Sequence, residues 1–236
     1  MNYFFQPDIL NDITYLDPEE SNHCIRVLRK KPGDVIKILD GKGGIFTCKI
    51  IKADPTELSF QMLGKKQIAS RDYSIHIAIA PTKNLERMEW FVEKSVEIGI
   101  DKISFIQCRN SERKIVKLNR LEKKAISAMK QSGNLYLPVL SEIMDVNQFI
   151  KTDFGNTLKF IGHSETGSSN PLITTAKAHL PYLVLIGPEG DFTLDEVLSA
   201  KERGFLPVSL GSSRLRTETA GLLACSILNL INSQAG

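Results

Sequence analysis

Residues 182–197 read YLVLIGPEGDFTLDEV. The apolar run from Tyr182 to Ile186 predicts a buried strand, and Thr193 with Glu196 three residues later predicts a capped helix. The Gly-Pro-Glu-Gly turn therefore joins a strand to a helix N-terminus, which is where open α/β sheets bind ligands. Its spacing is neither that of a dinucleotide-binding loop nor that of a phosphate loop. The stretch predicts a different kind of ligand.

Two further glycine junctions follow apolar strands. One is Phe160-Ile161-Gly162-His163, and the other is LGSSRLRTETAG at residues 210–221. We expect all three junctions to meet at the carboxyl edge of one sheet. None has metal-ligand spacing or a familiar nucleophile–base pair, so no metal is predicted. Loops that offer mainly main-chain donors and acceptors suit a neutral, hydrogen-bonding aromatic group such as adenine.

Length and composition limit the class of protein. The chain has 236 residues, of which 42% are hydrophobic, enough for one large domain or two small ones. No apolar run approaches the ~18 residues of a membrane span, and the start MNYFFQPDIL lacks the pattern of a signal peptide. We therefore expect a cytoplasmic protein without a membrane partner. The cysteines, at positions 24, 48, 108 and 225, are widely separated, which predicts reduced thiols.

The charge is unevenly distributed, although the net charge is only +3. Basic residues greatly outnumber acidic ones at residues 21–52 and again at residues 109–130. Two basic segments on a nearly neutral protein are typical of a surface that binds a polyanion. The alternative is that these side chains are simply solvated.

The pattern of the chain changes near residue 70. Short β-rich runs at residues 35–39, 45–51 and 58–62, with a hairpin loop at 40–44, predict a small β-barrel. Beyond residue 72, strands (73–80, 103–107, 158–161, 182–186, 208–210) alternate with helices (85–98, 120–131, 194–203, 217–232). This alternation predicts an α/β domain with a mostly parallel sheet. The last helix is apolar nearly all round, which indicates a central position or a subunit interface.

At this level of detail the sequence resembles a known family. GPEGDFTLDEV followed by LGSSRLRTETAGLLA resembles the C-terminal signature of SPOUT-class RNA methyltransferases, and most closely the RsmE family. HCIRVLR with KPGD at residues 23–34, ERMEW at 86–90 and QSG at 131–133 resemble further segments of that family. The chain differs from it at Asp191, where glycine is usual, in its start, which is not arginine-rich, and at Arg109–Glu112.

The resemblance implies a fold and an activity. It implies that residues 1–70 form a PUA-like, RNA-binding β-barrel. It implies that residues 71–236 form a SPOUT α/β domain with a deep trefoil knot, which binds the cofactor, catalyses the reaction and forms a homodimer. The implied reaction is methylation, by S-adenosyl-L-methionine, of N3 of one uridine in 16S ribosomal RNA, with the RNA or the small ribosomal subunit as partner. A SPOUT enzyme acting on another base or a ribose 2′-hydroxyl, and a non-catalytic RNA-binding module, remain alternatives.

The site residues follow from the same resemblance. The expected cofactor contacts come from the three junctions: Ile161, Gly162, His163, Ile186, Gly187, Pro188, Glu189, Gly190, Leu210, Gly211, Leu215, Thr217, Thr219 and Ala220. The glycines are expected to let the main chain approach the ligand closely.

Arg216 and Glu218 are the expected catalytic residues. Arg216 would stabilise an N3-deprotonated uracil, and Glu218 would orient the base or accept its proton. A structural role is open for both, since an acid is favourable at a helix N-terminus in any case. The expected RNA contacts are Arg26, Arg29, Lys30, Lys83 and Arg109, whereas His23 is expected to pack inside the barrel.

Overall fold

The computed structural model describes residues 3–163 and 170–234 of the chain. The chain divides into two units. The first comprises Met1–Ser70 and Ile126–Leu137, and the second comprises Arg71–Ala125 and Pro138–Gly236. The division at residue 70 follows the change of pattern in the sequence, but the segment Ile126–Leu137 belongs to the first unit.

The first unit contains a sheet of four strands among its described residues: β1 (Tyr3–Phe5), β2 (Val35–Leu39), β3 (Gly44–Lys52) and β4 (Ser59–Gln67). β1 is parallel to β2, and the other neighbours are antiparallel. Between β1 and β2 lie helix α1 (Pro18–Asn22) and a π-helical segment, His23–Val27. Phe4, Leu16, Ile38, Phe46 and Leu58 are buried in its core.

The hairpin predicted at residues 40–44 is confirmed, and Asp40 explains its conformation. One carboxylate oxygen of Asp40 accepts hydrogen bonds from the main-chain N–H groups of Lys42 (2.7 Å) and Gly44 (2.8 Å). Asp40 is itself buried, so this local bonding also satisfies a charge that would otherwise be costly inside the protein. The turn sets the register in which Leu39 pairs with Ile45.

The second unit contains a parallel sheet, as the strand–helix alternation predicts. Its described strands are β5 (Ser74–Ile79), β6 (Lys102–Gln107), β7 (Val139–Asp145), β8 (Leu158–Gly162), β9 (Asn170–Pro171), β10 (Pro181–Ile186) and β11 (Leu206–Ser209). Their order is β7-β6-β5-β10-β8-β11-β9, and all pairs are parallel. β10 is central, and its residues Tyr182–Leu185 are completely buried.

Helices connect these strands. They are α2 (Leu85–Ile98), α3 (Leu118–Ser132), whose second half belongs to the first unit, α4 (Val146–Phe149), α5 (Leu172–Thr175), α6 (Leu194–Glu202) and α7 (Thr217–Ser233). Gly99 ends α2 in the left-handed conformation (φ 107°), which glycine adopts without steric cost. Within the two described ranges, no helix combines the length and the apolar character needed to cross a bilayer.

Several elements were not predicted. β7 is an edge strand that pairs with β6 alone among the described strands. Its Val139 is 60% exposed and Met144 is also exposed, so the segment lacks the apolar alternation that marks a half-buried strand. β1, α1, α4, α5 and β9 are also absent from the sequence-based assignment, and each has five residues or fewer. Elements of this length carry too few residues to show a period, and these five lack the apolar runs between turn signals that marked the equally short strands β2, β8 and β11.

Candidate cofactor site

The carboxyl ends of β8, β10 and β11 border a cavity of about 420 Å³. The residues after these three strands and the first turn of α7 line it. This volume is in the ~300–1,000 Å³ range of small-molecule sites. The structure therefore brings the three glycine junctions together around one cavity, at the sheet edge where ligands bind in open α/β folds.

Most of the residues predicted to contact the cofactor line this cavity. They are Gly162, His163, Ile186, Gly187, Pro188, Glu189, Leu210, Gly211, Leu215, Thr217 and Ala220. Of the other three, Ile161 is fully buried in the core, and Gly190 and Thr219 lie outside the lining. The cavity also contains residues that were not predicted: Asp191, Val208, Ser209, Ser212, Ser213 and Arg214. They lie within or directly beside two of the three junctions, so their proximity in sequence to the predicted residues was the available signal.

The Gly-Pro-Glu-Gly turn is held by hydrogen bonds at both ends. Thr217 Oγ1, at the start of α7, donates to the carbonyl oxygen of Gly187 (3.0 Å). Asp191 N–H donates to the carbonyl oxygen of Pro188 (2.9 Å). The predicted capping box is confirmed, because Thr193 and Glu196 exchange their side-chain bonds at the start of α6. The turn therefore has a defined main-chain conformation next to the cavity.

Protein atoms lie close to both glycines of the turn. A Cβ atom at Gly187 would lie 3.0 Å from the ring of Phe192, and one at Gly190 would lie 3.1 Å from Cβ of Asn110. A side chain at either position would therefore push its neighbour by a few tenths of an ångström, and the predicted approach of the main chain to a ligand stays a prediction. A larger residue at either position would disturb the turn itself, so its effect could not be assigned to contact with a ligand.

Asp191 connects the turn to the β8 junction. It adopts φ 61°, and its carboxylate accepts a hydrogen bond from the N–H of Phe192 (2.7 Å). The same carboxylate lies 3.2 Å from Nδ1 of His163, while the Asp191 side chain remains 52% exposed. From the other side, Asn110 Nδ2 donates to the carbonyl oxygens of Gly190 (3.0 Å) and Asp191 (3.1 Å). The loop after β6 therefore also supports the cavity.

Arg216 and Glu218 lie beside the cavity and outside its lining. Arg216 is exposed and occupies the N-cap position of α7, between the lining residues Leu215 and Thr217. Glu218 is only 5% exposed, and its Oε1 is 3.7 Å from Nε of Arg87. Its Oε2 has no hydrogen-bond partner among the described residues. The catalytic roles of both residues stay predictions.

The predicted RNA contacts occupy both units. In the first unit, Arg26 and Arg29 are exposed, and Arg29 adopts φ 56°. Lys30 is half-buried in the same unit. In the second unit, Arg109 is exposed, and Lys83 is exposed with its ammonium 3.1 Å from Glu112.

Part of the second basic segment is neutralised by ion pairs. Arg120 pairs with Glu89, and Lys124 lies 3.1 Å from Glu93. These pairs reduce the positive charge that the α3 portion of the segment presents. The positive electrostatic potential there is therefore weaker than the number of basic residues in the sequence suggests. Exposed Lys114 and Lys117 precede the paired residues.

The cysteines in the described part of the chain are poor nucleophiles. The four cysteines are free and buried, as predicted for reduced thiols, and burial raises the pKa of the Cys225 thiol to about 12. A thiol with such a pKa is protonated at neutral pH and is a poor nucleophile. Residues 3–163 and 170–234 contain no cluster of three or more potential metal ligands.

Comparison with protein families defines the class of protein. The family described as "RNA methyltransferase domain" matches residues 69–229, which is more than half of the chain. The family described as "RNA methyltransferase PUA domain" matches residues 16–63. The cavity-bearing unit is therefore an RNA methyltransferase domain, and a PUA domain precedes it.

Individual relatives identify the branch of this class. Ribosomal RNA small subunit methyltransferase E of Buchnera aphidicola subsp. Acyrthosiphon pisum is 30% identical over 227 residues, which cover 93% of this chain and 88% of the relative. A crystal structure of a "probable rRNA-methyltransferase" from Porphyromonas gingivalis is 40% identical, with a TM-score of 0.94 over 100% of both chains. The ribosomal RNA small subunit methyltransferase E of Neisseria gonorrhoeae, bound to S-adenosyl methionine, is 27% identical, with a TM-score of 0.84 over 98% of both chains. The chain belongs to the ribosomal RNA small subunit methyltransferase E family, which confirms the resemblance found in its motifs.

Proposed function

We propose that this protein transfers a methyl group from S-adenosyl-L-methionine to N3 of one uridine in 16S ribosomal RNA. One observation carries the proposal. The two motifs on which the family resemblance rests, GPEG and LRTETA, both contribute residues to the cavity at the carboxyl edge of the sheet. The family membership of the chain supplies the reaction, and the cavity provides a place for its cofactor.

The cavity residues fit S-adenosyl-L-methionine in size and chemistry. Ile186, Leu210 and Leu215 provide apolar surface for the faces of an adenine ring, and the main chain of the glycine junctions provides polar groups for its edges. Glu189 and Asp191 add carboxylates that suit a cationic ligand. When bound, the cofactor supplies a methyl group that its positive sulfur already activates. The reaction therefore requires no metal ion.

The remaining task of the protein is to align N3 of the uracil and to remove its proton. Arg216 is the leading candidate for stabilising the deprotonated base, because its cationic side chain is exposed next to two cavity residues. Glu218 is less suited to accept the proton directly, since its carboxylate is buried against Arg87. We propose that Glu218 helps to orient the uracil, and we keep acceptance of the N3 proton by Glu218 as the alternative.

We further propose that the first 70 residues close into the PUA-like barrel and that residues 71–236 contain a deep trefoil knot. The knot is proposed from the family membership of the chain, and the position of β10 between the earlier strands β5 and β8 fits it. We also infer a cytoplasmic homodimer. α7 supports the homodimer, because this largely apolar helix leaves Leu222, Leu223 and Ile227 only partly buried.

Transfer of tritium-labelled methyl groups to purified small ribosomal subunits tests the proposed function. The subunits come from cells that lack this activity, and naked 16S ribosomal RNA serves as a second substrate. We expect transfer to at least one of the two substrates, together with binding of S-adenosyl-L-methionine in calorimetry. Binding of RNA without cofactor binding would instead identify a non-catalytic RNA-binding module.

A further inference from the structure

The first unit contains a second cavity, of about 520 Å³, that shares no lining residue with the cavity at the carboxyl edge of the sheet. Its lining includes Tyr3 from β1, Asn22 from α1, His23 and Val27 from the π-helical segment, and Lys130 and Gln131 from α3. We call it the first-unit cavity. All of these residues belong to the same unit, because the second half of α3 packs with the first 70 residues.

An ion pair between Lys130 and Glu20 contributes to the wall of this cavity. Glu20 is only 6% exposed, and its other carboxylate oxygen accepts a hydrogen bond from the N–H of Phe5 (3.3 Å). Burial raises the pKa of the Glu20 carboxyl group, and the pairing with Lys130 opposes this rise. Glu19 adds a second carboxylate to the lining. The cavity therefore has no excess of positive charge and is poorly suited to a phosphate group.

The uncharged lining residues instead suit a flat, polar ring. His23 is exposed, contrary to the expected packing in the barrel interior, and its ring lies 6.3 Å from that of Phe4. Tyr3 offers a second aromatic surface, and Val27, which is 62% exposed, offers an apolar one. The amides of Asn22 and Gln131 can each donate and accept hydrogen bonds. Aromatic surfaces beside amides are what an unstacked nucleobase requires.

Two exposed cations close in sequence to the lining residues point to RNA as the source of that base. Arg26 lies in the same π-helical segment as His23 and Val27, and Arg29 follows it closely; both are exposed cations. Cations of this kind contact phosphates, while stacking and amide contacts bind bases. The sequence of the segment thus places both kinds of contact within a few residues.

We propose that the first-unit cavity binds one unpaired base of the RNA substrate, while Arg26 and Arg29 contact the neighbouring phosphates. The proposal rests on the proposed function, because it takes RNA to be the substrate. The ammonium group of Lys130 can only donate hydrogen bonds, so it favours a base with a keto oxygen, which is uracil, guanine or cytosine, over adenine. The cavity is separate from the cofactor site, and it serves to recognise the substrate.

Salt dependence distinguishes a base contact from a phosphate contact. The measurement is filter binding of unmethylated small ribosomal subunits at several salt concentrations, with wild-type protein and with His23→Ala and Gln131→Ala. Loss of one stacking contact weakens binding by roughly fivefold or more. We expect this loss for His23→Ala, a smaller loss for Gln131→Ala, and an unchanged slope of log affinity against log salt for both.

Arg26→Ala is the matched control from the same segment. Losing one phosphate contact should make the slope shallower by about 0.9, or about 0.7 if the RNA is single-stranded there. Wild-type affinity in His23→Ala and Gln131→Ala would overturn the base site. A changed slope in His23→Ala would also overturn it, because that result would assign the residue to a phosphate. Thermal melting of each variant verifies that it is folded.

A cross-linking measurement covers the case in which the variants are unstable. A photoreactive benzoylphenylalanine at position 27, whose native valine is largely exposed, is irradiated with small subunits bound. We expect cross-links to one uridine, guanosine or cytidine, and cross-links to ribosomal proteins alone would contradict the proposal. If the wild-type protein methylates the subunits while His23→Ala binds them normally, only the base site is wrong. If binding behaves as expected but no methyl transfer occurs, the proposed function fails instead.

Discussion

Replacing Thr217 with valine tests whether the Gly-Pro-Glu-Gly turn binds the cofactor. Thr217 is buried, and its hydroxyl donates to the carbonyl oxygen of Gly187 over 3.0 Å. Valine has nearly the same shape but cannot donate, so the substitution removes one hydrogen bond and little packing. A bond of this kind contributes about 1 kcal/mol net, and about 1.4 kcal/mol corresponds to a tenfold change in affinity. Without this bond the turn leaves its ordered conformation more readily, and restoring that conformation on binding costs up to about 1 kcal/mol. We therefore expect the dissociation constant for S-adenosyl-L-methionine to rise by up to about fivefold.

Thr157→Val is the matched control for this experiment. Its hydroxyl donates to the carbonyl oxygen of Phe154 (2.6 Å), also in a partly buried position, but Thr157 does not line the cavity. Calorimetric titration with S-adenosyl-L-methionine measures affinity, and urea unfolding measures stability. Both variants should lose about 1 kcal/mol of stability at most, but only Thr217→Val should lose affinity. Equal affinities in the two variants would refute the assignment of the turn to the cofactor.

Substitutions at three further positions probe the chemistry and the electrostatics. Arg216→Ala should slow single-turnover methyl transfer by ~10²-fold or more, and high pH should partly restore the rate. Arg216→Lys should keep weak activity. If the alanine variant loses cofactor affinity in proportion to its rate, Arg216 belongs to the cofactor site instead. Asp191→Asn should weaken S-adenosyl-L-methionine roughly twofold to fivefold more than S-adenosylhomocysteine, which lacks the sulfonium charge; equal losses would show that the carboxylate does not sense that charge. Burial lowers the pKa of His76 to about 3, so the unfolded chain binds a proton more readily than the folded protein does. The stability of the fold is therefore retained above about pH 6.5 and falls as the pH drops from 6.5 toward 3. Between pH 6.5 and 4.5, the free energy of unfolding of the wild type should fall by roughly 2 kcal/mol more than that of His76→Gln. An equal fall in both proteins, measured by urea unfolding at each pH, would contradict this.

Local sequence signals predicted turns and helix ends in both units. The capping box of Thr193 and Glu196, the glycine end of α2 at Gly99 and the hairpin at Asp40 all depend on residues within four positions of one another. Interactions between residues so close in sequence can be predicted from the local sequence pattern. The apolar run before Gly187 likewise predicted β10 and the position of the turn.

Contacts between distant parts of the chain could not be predicted in this way. Asn110 bonds to the carbonyl oxygens of a turn 80 residues away, and Glu218 is buried against Arg87 on α2. The tight space around Gly187 depends on the ring of Phe192, which only the folded turn brings close. The placement of Ile126–Leu137 in the first unit is of the same kind, because α3 is a single helix with no break at that point.

Mapping the modified nucleotide tests the central claim most directly. Small ribosomal subunits that lack this modification are incubated with the wild-type protein and S-adenosyl-L-methionine, and their 16S ribosomal RNA is digested for mass spectrometry. The account predicts N3-methyluridine at a single position of the 16S ribosomal RNA. A methyl group on a ribose 2′-hydroxyl, on another base or at no position, in a preparation that binds the cofactor, would contradict it.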